Sequence, residues 1–154
     1  MIESSRSPQG STLTDDASSV IDPIALEASE VDPADVGQLV FVTSTGFLAP
    51  GVDVAVIRAL GLAPQTSRVV INFMGCAAAM NALRVSTDYV RAHPDRKSLM
   101  ICLELSSVNA VFSGDPNDVV ISSLFADGCG GSINDHGGNL DVGTSCGFDM
   151  AHSN

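Results

Sequence analysis

Tryptophan is absent from this chain of 154 residues, and it holds one tyrosine. That leaves little aromatic surface on which bases or sugars could stack. Basic residues are scarce as well: seven Lys and Arg stand against 18 Asp and Glu, a formal charge of −11. Such a chain repels a phosphate backbone and an anionic leaflet, so nucleic acid and membrane are excluded as expected partners. No apolar run approaches the roughly 18 residues of a membrane span. The opening Met1-Ile2-Glu3-Ser4-Ser5-Arg6 lacks the basic start and apolar stretch of a secretory signal. The chain therefore reads as cytoplasmic, and Cys76, Cys102, Cys129 and Cys146 read as reduced thiols rather than a disulfide framework. Disorder throughout is excluded too, because 45% of the residues are hydrophobic and 16% are charged. One hydrophobic core is the expectation for this length.

Three stretches differ in texture. Residues 1–30 are rich in Ser, Thr, Asp, Gln, Gly and Pro without periodicity, and read as a poorly ordered tail apart from a short helical piece at 24–31. Residues 31–131 carry the periodic signals. Residues 132–154 form a Gly/Asn-rich tail, and the chain from Cys129 onward reads as loop.

Within 31–131, Asp32-Pro33-Ala34-Asp35 is a cap followed by Pro at the first helical position. Leu39-Val40-Phe41-Val42-Thr43 has the continuous apolar, β-branched pattern of a strand buried on both faces. Asp53 is positioned to cap a helix carrying Val54, Ile57 and Leu60, stopped at Gly61. Residues 68–73 give a second buried strand, 76–93 a helix closed by Pro94, 98–105 a third strand and 118–125 a short helix. Strand and helix alternate three times, the signature of an α/β layer with mainly parallel strands.

The sharpest chemical feature is Cys76. It follows a strand through Met74-Gly75 and opens a helix of small residues, Ala77, Ala78, Ala79 and Ala82, which is expected to run through the middle of the domain. A thiol there faces unsatisfied N–H groups and the positive end of the helix dipole, the setting of a nucleophilic thiolate. Gly75 permits the sharp turn, and a nearby backbone N–H can serve an oxyanion. A buried, inert cysteine is the competing reading. Cys129, His136, Cys146 and His152 lack the close pairing of a zinc signal, and no run has the spaced oxygen ligands of an EF-hand, so no metal is expected.

Three blocks in order carry a resemblance: Val42-Thr43-Ser44-Thr45-Gly46-Phe47-Leu48-Ala49-Pro50-Gly51-Val52-Asp53, then Asn72-Phe73-Met74-Gly75-Cys76-Ala77-Ala78-Ala79, then Leu124-Phe125-Ala126-Asp127-Gly128. Together they resemble the type III polyketide synthases of the chalcone synthase superfamily, nearest in flavour to the bacterial alkylpyrone and alkylresorcinol branch. The resemblance implies a partial thiolase-like α/β fold and an acyltransferase without a cofactor. Acyl-CoA and malonyl-CoA would be its substrates, and a homodimer its assembly. It implies that Cys76 takes the acyl group as a thioester. Phe125 would be the gatekeeper aromatic between the CoA tunnel and the cavity. Ser44, Ser106 and Asn109 would line the initiation and elongation pocket, and Ala49 would stand where plant members place a Met that crosses the dimer interface. The His and Asn that stabilise the oxyanions in this family belong to a C-terminal half that the resemblance does not reach. Two alternatives stay open: a ketoacyl-ACP synthase III-like condensing enzyme, and a non-catalytic half-domain that acts through a partner.

Overall fold

A computed structural model describes residues 31–46, 49–109, 115–142 and 146–147. The helical piece expected at 24–31 lies, except for its last residue, outside them. The chain enters through a 3-10 turn at Pro33–Asp35, where the Asp32 carboxylate accepts the Ala34 N–H at 2.9 Å. The expected cap and first-turn Pro are both in place. Strand β1 (Val36–Thr43) follows, then helix α1 (Val52–Ala59), β2 (Ser67–Asn72), helix α2 (Ala78–Ala92) and β3 (Lys97–Glu104). A 3-10 turn at Ser106–Asn109, helix α3 (Pro116–Leu124), β4 (Gly128–Asn134), β5 (Leu140–Val142) and β6 (Cys146–Gly147) complete it.

The strands form one sheet in the order β2-β1-β3-β4-β5, with β6 also paired to β4. β2, β1 and β3 are parallel, as the alternation of strand and helix implies, while β4 runs antiparallel to β3. Side chains alternate across a strand, which divides the core in two. One face gathers Leu39, Phe41, Leu99, Ile101, Leu103, Cys129 and Ile133 beneath Val56, Leu60 and Leu62 of α1 and the turn after it. The other face sets Val40 and Val42 against Ala78 and Ala82 of α2, with Met100 and Cys102 alongside. The small residues foreseen in α2 do bring its backbone close to the middle strands, β1 and β3.

Four expectations need correction. β2 is not a buried strand: Ser67, Arg68 and Val70 are exposed, because β2 is the sheet's edge and little covers it. Asp53 does not cap α1. Gly51 holds that position without a side-chain bond, and Asp53 is instead buried with its Oδ2 2.8 Å from Arg68 Nη1, tying α1 to β2. The helix expected from Cys76 begins at Ala78, two residues later. Residues from Cys129 onward are not loop: β4 pairs over its full length with β3, from Glu104↔Gly128 to Ser98↔Asn134. Three of its seven residues are glycine, so propensity is against a strand, but seven consecutive pairings and the burial of Cys129 and Ile133 outweigh that.

Close approach explains one glycine. Gly37 sits at the register shift between Val36 and Gln38, and a Cβ there would collide with the Tyr89 hydroxyl of α2 and press on the Arg96 side chain.

Candidate functional site

Parallel strands deliver their C-terminal ends to one edge of the sheet, where α/β proteins place their chemistry. Here β1 ends into Ser44, β2 into the turn bearing Cys76, and β3 into Ser106. Ser44, Cys76 and Ser106, three of the residues that the sequence singled out, thus lie on stretches that are neighbours through topology.

The Cys76 turn is sharp. The Phe73 N–H still donates to the Thr43 carbonyl oxygen at 3.3 Å, which continues the β1–β2 pairing by one step. Phe73 then adopts φ 54° and Gly75 φ 72°. A left-handed conformation is free of steric cost only for glycine, so Phe73 is a strained position of the kind that clusters at functional turns. Ala78 N–H donates back to the Gly75 carbonyl oxygen at 3.0 Å, and α2 starts there. Ala77 precedes α2 with no side-chain cap, and the first turn holds no acidic residue. The positive end of the helix is left without an anion of its own, beside an exposed thiol.

The end of β1 is clamped to β3. The Ser44 N–H donates to both carboxylate oxygens of Glu104, at 2.9 and 3.0 Å. The Leu105 N–H donates to Thr45 Oγ1 at 2.8 Å. Ser44 Oγ is buried without a hydrogen-bond partner, an acceptor and donor held ready beside the clamp. Cys102, two residues before Glu104, faces α2. Burial first, and the Glu104 charge second, push its thiol above the ordinary value. Cys102 therefore stays protonated where an exposed thiol would begin to ionise.

The turn after β3 is anchored separately. Asp127 accepts the Ser107 N–H at 2.8 Å and the Ser107 hydroxyl at 2.6 Å, fixing the Ser106–Asn109 turn to the entrance of β4. Ser106 is half-buried next to that anchor. Asn109 closes the turn, Ala49 is exposed in the segment before α1, and Phe125 is exposed in the link from α3 to β4.

A cavity of about 90 Å³ lies on the α1 side of the same edge, lined by Phe41, Thr43, Thr45, Gly46, Gly51, Val52, Asp53, Val70, Asn72, Leu103, Leu105 and Val108. That is roughly three waters' worth of liquid volume, enough for a few heavy atoms. Asn72 Oδ1 is buried beside it without a partner. Ser44, Ala49, Cys76, Ser106 and Phe125 are not among its lining residues. The structure thus brings the stretches of Ser44, Cys76 and Ser106 to one edge, but it does not converge these five residues on this cavity. Among the described residues, no group of three or more His, Cys, Asp or Glu is placed to hold a metal.

Sequence reasoning passed over Glu104 and Asp127. Glu104 had a signal, being the one charge in the apolar run from Leu99 to Leu105. Asp127 had none beyond its place before Gly128, which reads equally as a helix stop.

The family described as chalcone and stilbene synthases, N-terminal domain, matches residues 25–137. An alpha-pyrone synthesis polyketide synthase-like protein, Pks18, of Mycobacterium tuberculosis is 69% identical over 96 residues, which are 62% of this chain and 24% of that protein. The 3,5-dihydroxyphenylacetyl-CoA synthase of Amycolatopsis balhimycina is 40% identical over 103 residues, 67% of this chain and 28% of its own length. The crystal structure of PKS-I from the brown alga Ectocarpus siliculosus superposes with a TM-score of 0.72 at 36% identity, covering 94% of this chain and 36% of that one. The chain thus spans about a quarter to a third of these three proteins.

Proposed function

This chain belongs to the chalcone and stilbene synthase family, whose N-terminal domain it carries, and we propose that it contributes the acyl-accepting half of a type III polyketide synthase. In this reading the Cys76 thiolate attacks the carbonyl of an acyl-CoA, CoA leaves as its thiol, and the acyl group remains as a thioester. Malonyl-CoA would then supply two-carbon units by decarboxylative condensation, in the cytoplasm and without a cofactor. Ser44 and Ser106 would flank the bound chain. The placement of Cys76 carries the proposal: an exposed thiol on a strained turn, beside the uncapped start of α2.

The second step needs donors for the enolate and for the thioester oxyanion. In the described residues the groups at this edge are Ser44 Oγ, Glu104 and the first N–H groups of α2, which suit acyl transfer better than condensation. The proposal for this polypeptide by itself is therefore slow acylation of Cys76. Incubation with a long-chain acyl-CoA should add one acyl mass to the intact chain and none to Cys76→Ala. An adduct of equal yield on Cys76→Ala would refute the assignment.

The homodimer belongs to the same proposal. Val70, Phe73, Met74 and Met80 are exposed around the β2 edge and the Cys76 turn, an apolar group of the kind a partner surface covers. Light scattering should give about twice the monomer mass, and a stable monomer at all concentrations would remove this part.

A further inference from the structure

Two cysteines are brought opposite each other at the far edge of the sheet. β4 runs antiparallel to β5 through Asn134↔Leu140, Ile133↔Asp141 and Ser132↔Val142, and antiparallel to β6 through Cys129↔Cys146 and Gly128↔Gly147. Because β3 occupies one side of β4 along its whole length, β5 and β6 share the other side.

The turn that joins β4 to β5 is tied down: the Asp135 carboxylate accepts the Asn139 N–H at 3.1 Å and the Asn139 Nδ2 at 3.2 Å, and the Gly138 N–H donates to the Asp135 carbonyl oxygen at 3.3 Å. The Cys129↔Cys146 pairing itself is the β4–β6 register, offset by one residue from that of β4 and β5. Directly opposite positions on antiparallel strands hold their Cα atoms about 4.5 or 5.5 Å apart. Both separations fall within the roughly 4.4–6.8 Å over which two cysteines can be bridged. The other two thiols have no such place. Cys102 is opposite Gly130, and Cys76 lies beyond the end of β2, on the opposite edge of the sheet.

We propose that Cys129 and Cys146 form a dithiol that oxidises to an intrachain disulfide and staples the returning strand to the β4 edge. With glutathione disulfide as oxidant, one thiolate attacks a sulfur of glutathione disulfide and releases one glutathione. The second thiolate attacks the mixed disulfide and releases another. Two protons and two electrons leave the pair, and two glutathione thiols are formed. The reaction is independent of any chemistry at Cys76.

The test uses the full chain, incubated with glutathione disulfide or with dithiothreitol, alkylated with iodoacetamide, and cut by a protease that cleaves before Asp. Cys129 then lies in segment 127–134 and Cys146 in segment 141–148. After oxidation the two should appear as one linked species, two hydrogens lighter than their sum, which dithiothreitol separates. Cys146→Ser should abolish the link and Cys76→Ala should keep it. Should Cys146→Ser fail to fold, the map of the unsubstituted chain decides alone. Recovery of both segments unlinked, whether alkylated or carrying glutathione, would overturn the proposal, as would a link from 127–134 to a segment holding Cys76 or Cys102.

Discussion

The backbone N–H of Ser44 donates to both carboxylate oxygens of Glu104, so the C-terminal end of β1 is tied to a charge sixty residues away. The same carboxylate is the second cause, after burial, that lifts the Cys102 thiol.

Glu104→Gln should therefore act on two readouts. An amide retains one acceptor, so the clamp weakens and stability falls by about 1 kcal/mol in denaturant titration. The alkylation profile of Cys102 should move to lower pH, since the neighbouring negative charge is gone, while burial keeps it above an exposed thiol. An unchanged profile would contradict the coupling.

Cys102 also sets a sign for pH dependence. Its folded value is raised, so folding disfavours the thiolate. The associated stability is fully present below the ordinary thiol value of about 8.5 and is lost as pH rises beyond it, because the unfolded chain ionises first. Denaturant midpoints measured between about pH 7 and 10 should fall toward the alkaline end. Cys102→Ser, which has no thiol to ionise, should fall less.

Asp127→Ala should destabilise by about 1–3 kcal/mol, because the Ser107 N–H and hydroxyl both lose their acceptor. Hydrogen exchange should quicken in residues 106–109 more than in β1. Equal quickening of both would show that Asp127 does not anchor the turn.

Gly37→Ala should cost about 1–3 kcal/mol by overpacking, since Tyr89 must leave its place against β1. Combining it with Tyr89→Ala should recover part of that loss, and strict additivity of the two would contradict the contact.

Much of the fold was legible because local pattern and tertiary environment agree. β1 is continuously apolar from Leu39 to Val42 and is the central parallel strand, buried on both faces. α2 announces itself through Ala78, Ala82 and the stop at Pro94. β2 has the same kind of sequence as β1, yet it lies at an edge, and no composition distinguishes the two. β4 is the reverse: Gly128-Cys129-Gly130-Gly131 carries almost no strand preference, and its structure comes from a partner some thirty residues earlier in the chain. At the candidate site, the Cys76 turn was readable because glycine and small residues mark sharp turns locally. The Glu104–Ser44 and Asp127–Ser107 bonds were not, since each joins a side chain to backbone groups distant in sequence, and no residue pattern encodes that.

The central claim is that Cys76, among the four thiols, is the acyl acceptor. Trypsin releases it alone in residues 69–84, whereas Cys102, Cys129 and Cys146 stay together after Lys97. After incubation with a long-chain acyl-CoA, residues 69–84 should carry the acyl mass in a thioester that hydroxylamine removes. An acyl mass found on the segment after Lys97, with residues 69–84 unmodified, would contradict the account.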